Sequence, residues 1–185
     1  MKNNELSDLV VKLKNFEGLT RKAALGGILE IFEEKSYDDA GFLDIGNFRV
    51  VVSCDGIVES LVKSAPLLAG YYSVLVNVND IVAKGACPLG FVSIISSSSS
   101  KIRRKISEGI KDGLKKYGIR LLKGHLSPDT SYDAVDAAAI GVARNVLLST
   151  NAKVGDSLIV AVDLAGKYSS KGWLKTFDST TMKSS

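Results

Sequence analysis

The chain has 185 residues, 45% hydrophobic and 24% charged, with a formal net charge of +4. That length supports one domain with a core of its own, and no run of eighteen apolar residues offers a membrane span. Two cysteines, Cys54 and Cys87, and a single histidine exclude a disulfide framework and argue against a thiolate metal site; with no signal-peptide pattern in MKNNELSDLV, the expected setting is the cytoplasm.

Leu6, Leu9, Val10, Leu13 and Phe16 recur at helical spacing and predict an amphipathic helix ending at Gly18. Thr20 is expected to cap a second helix that buries Leu25, Ile28, Leu29 and Phe32. Residues 37–41 read as an acidic loop and residues 44–47 as a turn, followed by a strand over 48–53 with Cys54-Asp55-Gly56 at its end.

The stretch 64–90 organises the reading. Residues 74–78 are rich in β-branched residues and look like a strand, yet the apolar pattern holds for about twenty residues, longer than most strands. A helix is therefore predicted, capped by Ser64, with Pro66 in its first turn and Gly85 closing it. Leu68, Tyr72, Leu75, Val76, Asn79, Val82 and Ala83 fall on one face, and Ser73, Asn77, Asp80 and Lys84 on another. Asn79 and Asp80 stand about 100° apart near its last turn.

Residues 91–95 predict a strand and 96–100 a serine connector. A helix over 101–117 repeats Ile102, Ile106, Ile110 and Leu114, with Gly118 at its end. Gly109 and Gly113 should weaken it by up to about 1 kcal/mol each. Seven basic and two acidic residues give 101–116 a charge of +5, leaving −1 for the rest of the chain. Residues 119–122 read as a short strand running into Lys123-Gly124-His125, 127–129 as a turn, 134–143 as a strand of small residues, 154–156 as a turn and 157–162 as another strand. Residues 167–185 carry little buried pattern. The mixture, without strict strand–helix alternation, predicts an α+β fold.

Aspartates gather at element ends: Asp38 and Asp39, Asp55, and Asp80. Such acids can converge on Mg²⁺, a hard cation that brings nucleotide phosphates with it. No P-loop is present and no Gly-x-Gly-x-x-Gly follows a strand, so a nucleotide site here is of another type. Cys54 reads as a buried thiol rather than a nucleophile, Cys87 as structural and the basic helix as a solvated face that also packs through its apolar stripe.

The ordered set Asp38-Asp39-Ala40, Ser53-Cys54-Asp55-Gly56, the segment 78–89 (VNDIVAKGACPL), Lys123-Gly124-His125 and 152–156 (AKVGD) resembles the aminoimidazole ribonucleotide synthetase superfamily. That superfamily includes thiamine-monophosphate kinase, selenophosphate synthetase and the hydrogenase-maturation dehydratase. The resemblance covers about residues 25–170, and its nearest variety is the archaeal synthetase-related group named as a methanogenesis marker. It implies the N-terminal domain of that fold over residues 1–165, with 166–185 a tail or the start of a second domain. Two such sheets would pair into a β-barrel across a homodimer that binds ATP and Mg²⁺.

Carried over residue by residue, the resemblance makes Asp38, Asp39, Asp55 and Asp80 metal and phosphate ligands. Asn79 becomes a polar neighbour of the nucleotide, and Gly124 and His125 the glycine-rich turn that the kinases write as Gly-Gly-Asp. The implied activity is phosphoryl transfer to a small-molecule substrate, or its ATP-driven dehydration. His125 departs from the kinase acid and Lys123 from the first glycine. Two alternatives stand beside that activity: a non-catalytic dimeric assembly partner keeping the fold, and a nucleic-acid-binding module using the basic helix, the less favoured of the two.

Overall fold

A computed structural model describes residues 3–16, 20, 25–33 and 38–159. Residues 1–150 form one compact unit and 151–185 a second. In the first, α1 spans Asn3–Lys14, α2 Gly26–Ile31, β1 Gly41–Ile45, β2 Phe48–Gly56, α3 Glu59–Ser64, α4 Pro66–Ala83, β3 Cys87–Ser96, α5 Ser100–Tyr117, β4 Arg120–Ser127 and β5 Ala134–Ala143. The fold is α+β, as expected. Among the described residues no helix is long and apolar enough to cross a membrane.

The five strands form one sheet in the order β1-β2-β5-β3-β4, antiparallel except for the β3/β4 pair. Chain return explains the pattern. Gly46, at φ 59°, turns β1 back into β2, whereas β3 reaches β4 only through α5. Strand β5 lies at the centre and alternates buried Val135, Ala137, Ala139, Gly141 and Ala143 with less buried neighbours. Those small side chains let α4 lie close to the sheet: a Cβ on Gly141 would overlap the Ile81 side chain and the Cys87 carbonyl.

Helix α5 packs on α4 with backbone near backbone. A Cβ on Gly70 would overlap the Ile106 carbonyl oxygen, one on Gly109 the Leu67 carbonyl oxygen, and one on Gly113 would press the Val74 side chain. The two α5 glycines therefore do more than weaken a helix. Their intrinsic cost is the condition for this contact. Ser99 caps α5, its Oγ accepting from the Ile102 amide, and Gly118 ends it in the left-handed region at φ 66°.

Several expectations are corrected. Helix α4 starts at Pro66 with Ala65 before it and no side-chain cap, while Ser64 ends the unanticipated α3 and donates to the Ser60 carbonyl. Its faces are also reversed. Ala69, Gly70, Tyr71, Ser73, Val74, Asn77, Val78 and Ile81 are buried, while Asn79, Val82 and Ala83 are exposed. Residues 38–40 of the expected acidic loop lead directly into β1, which the turn at 44–47 conceals. Residues 123–125 lie inside β4 and make no turn. The faces expected to be buried on α1 and α2 stand exposed at Leu6, Leu9, Leu13, Ile28 and Phe32. Periodicity identifies such a stripe without supplying what covers it. Cys54 is exposed as well, because its strand position points to the sheet face that no helix covers among the described residues.

In the second unit, the Lys153 amide donates to Asp156 Oδ2 at 2.8 Å and Gly155 has φ 101°, the expected turn. Residues 157–159 are not strand, and the rest of that predicted strand, the 167–185 tail and Gly18 lie outside the described residues. Thr20 is itself helical and does not cap α2, which begins at Gly26 behind Leu25 with no side-chain cap.

Candidate active site: a carboxylate cluster at the end of α4

Strand β2 and the last turns of α4 meet over a buried polar chain. Ser53, on the helix-facing side of β2, places its Oγ 2.8 Å from Asp80 Oδ2 and 3.2 Å from Asn77 Oδ1. Asn77 Nδ2 donates to the Ser73 carbonyl at 2.9 Å, and Ser73 Oγ to the Gly70 carbonyl at 2.8 Å. Ser53, Ser73 and Asn77 are all buried, and every buried side-chain polar atom among the described residues has a partner. This explains the reversed faces of α4: the polar residues turn inward because each is satisfied there. The chain also fixes the direction of Asp80.

Asp55 follows Ser53 on the same side of β2, two residues nearer the strand end, which brings its carboxyl within hydrogen-bonding reach of Asp80. Burial pushes the Asp80 carboxyl up to about 6. The Ser53 hydroxyl opposes that shift, while the shared hydrogen bond and negative charge of Asp55, and the charge of Asp39, reinforce it. Asp55 and Asp80 thus meet, and the charge of Asp39 reaches the same carboxyl. Among the described residues, neither Asp55 nor Asp80 has an ion-pair partner.

Asp38 has a different environment. Its Oδ1 meets the ammonium of Lys84 and accepts from the Asp39 amide at 2.9 Å; its Oδ2 accepts from the amide and hydroxyl of Ser149, each at 3.1 Å. The Lys84 side chain is only 4% exposed. Desolvation works to raise the Asp38 carboxyl, but the Lys84 ammonium and the Ser149 and Asp39 donors outweigh it and hold it well below the usual carboxylate range.

The remaining predicted residues lie apart. Asn79 is exposed, one residue round the helix from Asp80; Asn77 holds the polar position instead. Gly124 and His125 are on β4, three strand spacings from β2 and so about 14 Å from Asp55. Cross-strand pairing nevertheless puts Asp55, Ala137, Ser93 and Gly124 in one row across the sheet. Two hollows lie elsewhere. One of about 520 Å³ lies between α5 and β3/β4, lined by Ile110, Leu114, Leu121 and His125. Another of about 420 Å³, on the uncovered sheet face, touches Cys54, Ile94, Lys123 and Asp136. Both are apolar or remote from the acids, so the chemistry is judged from the carboxylates.

Asp55 and Asp80, hard oxygen donors with no ion-pair partner among the described residues, suit a hard divalent ion such as Mg²⁺. Among the described residues no three His, Cys, Asp or Glu side chains are already drawn up as a coordination shell, so phosphate oxygens and water would complete one. Ser53, Asn77 and Lys84 were not singled out from sequence. Ser53 adjoined the Cys54-Asp55 motif, whereas Asn77 and Lys84 were hidden by their assignment to a polar face.

Residues 37–143 match the family model described as AIR synthase related protein, N-terminal domain. An uncharacterized protein of Methanocaldococcus jannaschii is 38% identical over 97% of this chain and 59% of its own length. The thiamine-monophosphate kinase of Pyrococcus abyssi is 34% identical over 72% of this chain and 45% of its own. The chain thus spans about half the length of the curated relatives it matches. Among solved structures, AaThiL complexed with AMPPCP and TMP superimposes with a TM-score of 0.61 at 17% identity, covering 67% of this chain and 42% of that one; this likeness concerns the fold.

Proposed function

Because the chain belongs to the AIR synthase related family, through its N-terminal domain, we propose that it is the nucleotide-binding part of an ATP-dependent enzyme acting on a small molecule. The reaction is phosphoryl transfer to the substrate, or a dehydration driven by it. The observation that carries this reading is the meeting of Asp55 and Asp80 at the end of α4, with the charge of Asp39 acting on the same Asp80 carboxyl. These three residues would hold Mg²⁺, which when bound neutralises phosphate charge, the main requirement of phosphoryl transfer. The Ser53–Asn77–Ser73 chain keeps Asp80 oriented. With its carboxyl at about 6, Asp80 is mostly ionised at pH 7 and can act as an anion. A nucleotide lying along the row from Asp55 would run toward Gly124 and His125 on β4.

The same reading gives the uncovered sheet face a partner. Val52, Ile94 and Cys54 are exposed there, and a second copy would cover them by pairing sheets into a barrel. The N-terminal domain would extend over residues 1–165, with residues 166–185 a tail or the start of a second domain. Calorimetric titration with Mg²⁺ and ATP tests the proposal: binding is expected, and Asp80→Asn should abolish it. Binding that Asp80→Asn leaves untouched would overturn it.

A further inference from the structure

Lys84 is a buried cation one helical turn after Asp80 on α4, and it has no part in the reading above. Its ammonium is committed to Asp38, and its own carbonyl accepts from the Leu147 amide at 3.1 Å. Asp38 in turn receives the Asp39 amide and both donors of Ser149. One side chain therefore joins three separate pieces of chain: the end of α4, the segment entering β1 and the segment after β5. Asp39 is the residue next to the tethered carboxylate, and its charge acts on Asp80. Asp38 has both oxygens engaged, so it serves as an anchor for the segment that carries Asp39.

We infer that Lys84 is a positioning residue: through its ion pair with Asp38 it holds the 38–39 segment so that Asp39 joins Asp55 and Asp80. This rests on the proposed metal–nucleotide role of those three acids. An apolar residue at 84 would leave Asp38 buried without its cation and release the segment. An arginine keeps the charge.

The test uses the full chain and Mn²⁺ alone, followed by loss of the free-ion paramagnetic resonance signal, together with hydrogen exchange. Lys84→Met is expected to weaken Mn²⁺ binding at least tenfold and to speed amide exchange at 38–40 without changing exchange in α5. Lys84→Arg should remain within threefold of the wild type. Where Lys84→Met fails to fold, the neutral pair Asp38→Asn/Lys84→Met removes both charges and should show the same tenfold loss. A folded double variant that binds Mn²⁺ like the wild type overturns the inference while leaving the acid cluster standing, provided Asp80→Asn still abolishes binding. A wild-type chain that binds no Mn²⁺ overturns the metal reading itself, and this inference with it.

Discussion

Asp38 and Asp80 are carboxylates at the same end of the molecule, joined through Lys84, and their surroundings act in opposite directions. Asp38 is surrounded by donors, including a buried ammonium, which hold its carboxyl well below the ordinary range. Asp80 is half-buried beside Asp55, with the charge of Asp39 acting on it as well, and is pushed up to about 6. Burial is common to both, so it cannot be what separates them. The partner decides: a cation makes a carboxylate a structural anchor, and like charge leaves one in want of a counter-ion.

The largest break in this contrast comes from the anchor. Asp38→Ala strands the Lys84 ammonium in the interior and should cost about 3 to 5 kcal/mol, measured by denaturant unfolding. Next comes the helix contact that holds α4 in place. Gly109→Ala puts a methyl group into the Leu67 carbonyl and should cost about 2 to 3 kcal/mol, read as a lowered unfolding midpoint.

Asp80→Asn should do the reverse. It removes a carboxylate disfavoured in the fold and should stabilise the protein by about 1 kcal/mol at pH 7, after discounting for partial exposure. The pH dependence sharpens the comparison. Asp80 is raised in the folded state, so its contribution is fully present below about pH 4, the unfolded value, and is lost as pH rises through about 6. Asp38 is depressed, so its contribution is present above about pH 4 and is lost as pH falls below that. Denaturation midpoints across pH should show Asp80→Asn flattening the limb between 4 and 6, and Asp38→Asn removing part of the acid limb. The smallest effect belongs to Gly124→Ala. A Cβ there meets nothing and φ is not positive, so stability should change by no more than about 0.5 kcal/mol; a larger loss would contradict the strand geometry of β4.

Much of the fold was legible because local pattern and burial agree. The small-residue run of β5, the four-residue repeat of α5 with Gly118 after it, and the length of α4 all appear where periodicity puts them. Periodicity failed where polar residues are buried. Ser73 and Asn77 look solvent-facing until Ser53 arrives from another strand to satisfy Asn77. β1 was hidden because its five residues are all exposed and show no alternation in burial. Within the site, Asp55 and Asp80 could be selected by their places at element ends. The separation of Asp38 from Asp39 could not, since it depends on Lys84 and Ser149, distant in sequence and brought together only by folding.

The glycine contacts between α4 and α5 have a mechanical side. Where two main chains interlock at Gly70 and Gly109, neither helix can slide along the other without carbonyl oxygens colliding. The pair behaves as one stiff plate, and Asp80 rides on it. Any movement around the acids would then fall to residues 38–40 and the stretch after β5, the two pieces that a single lysine tacks down.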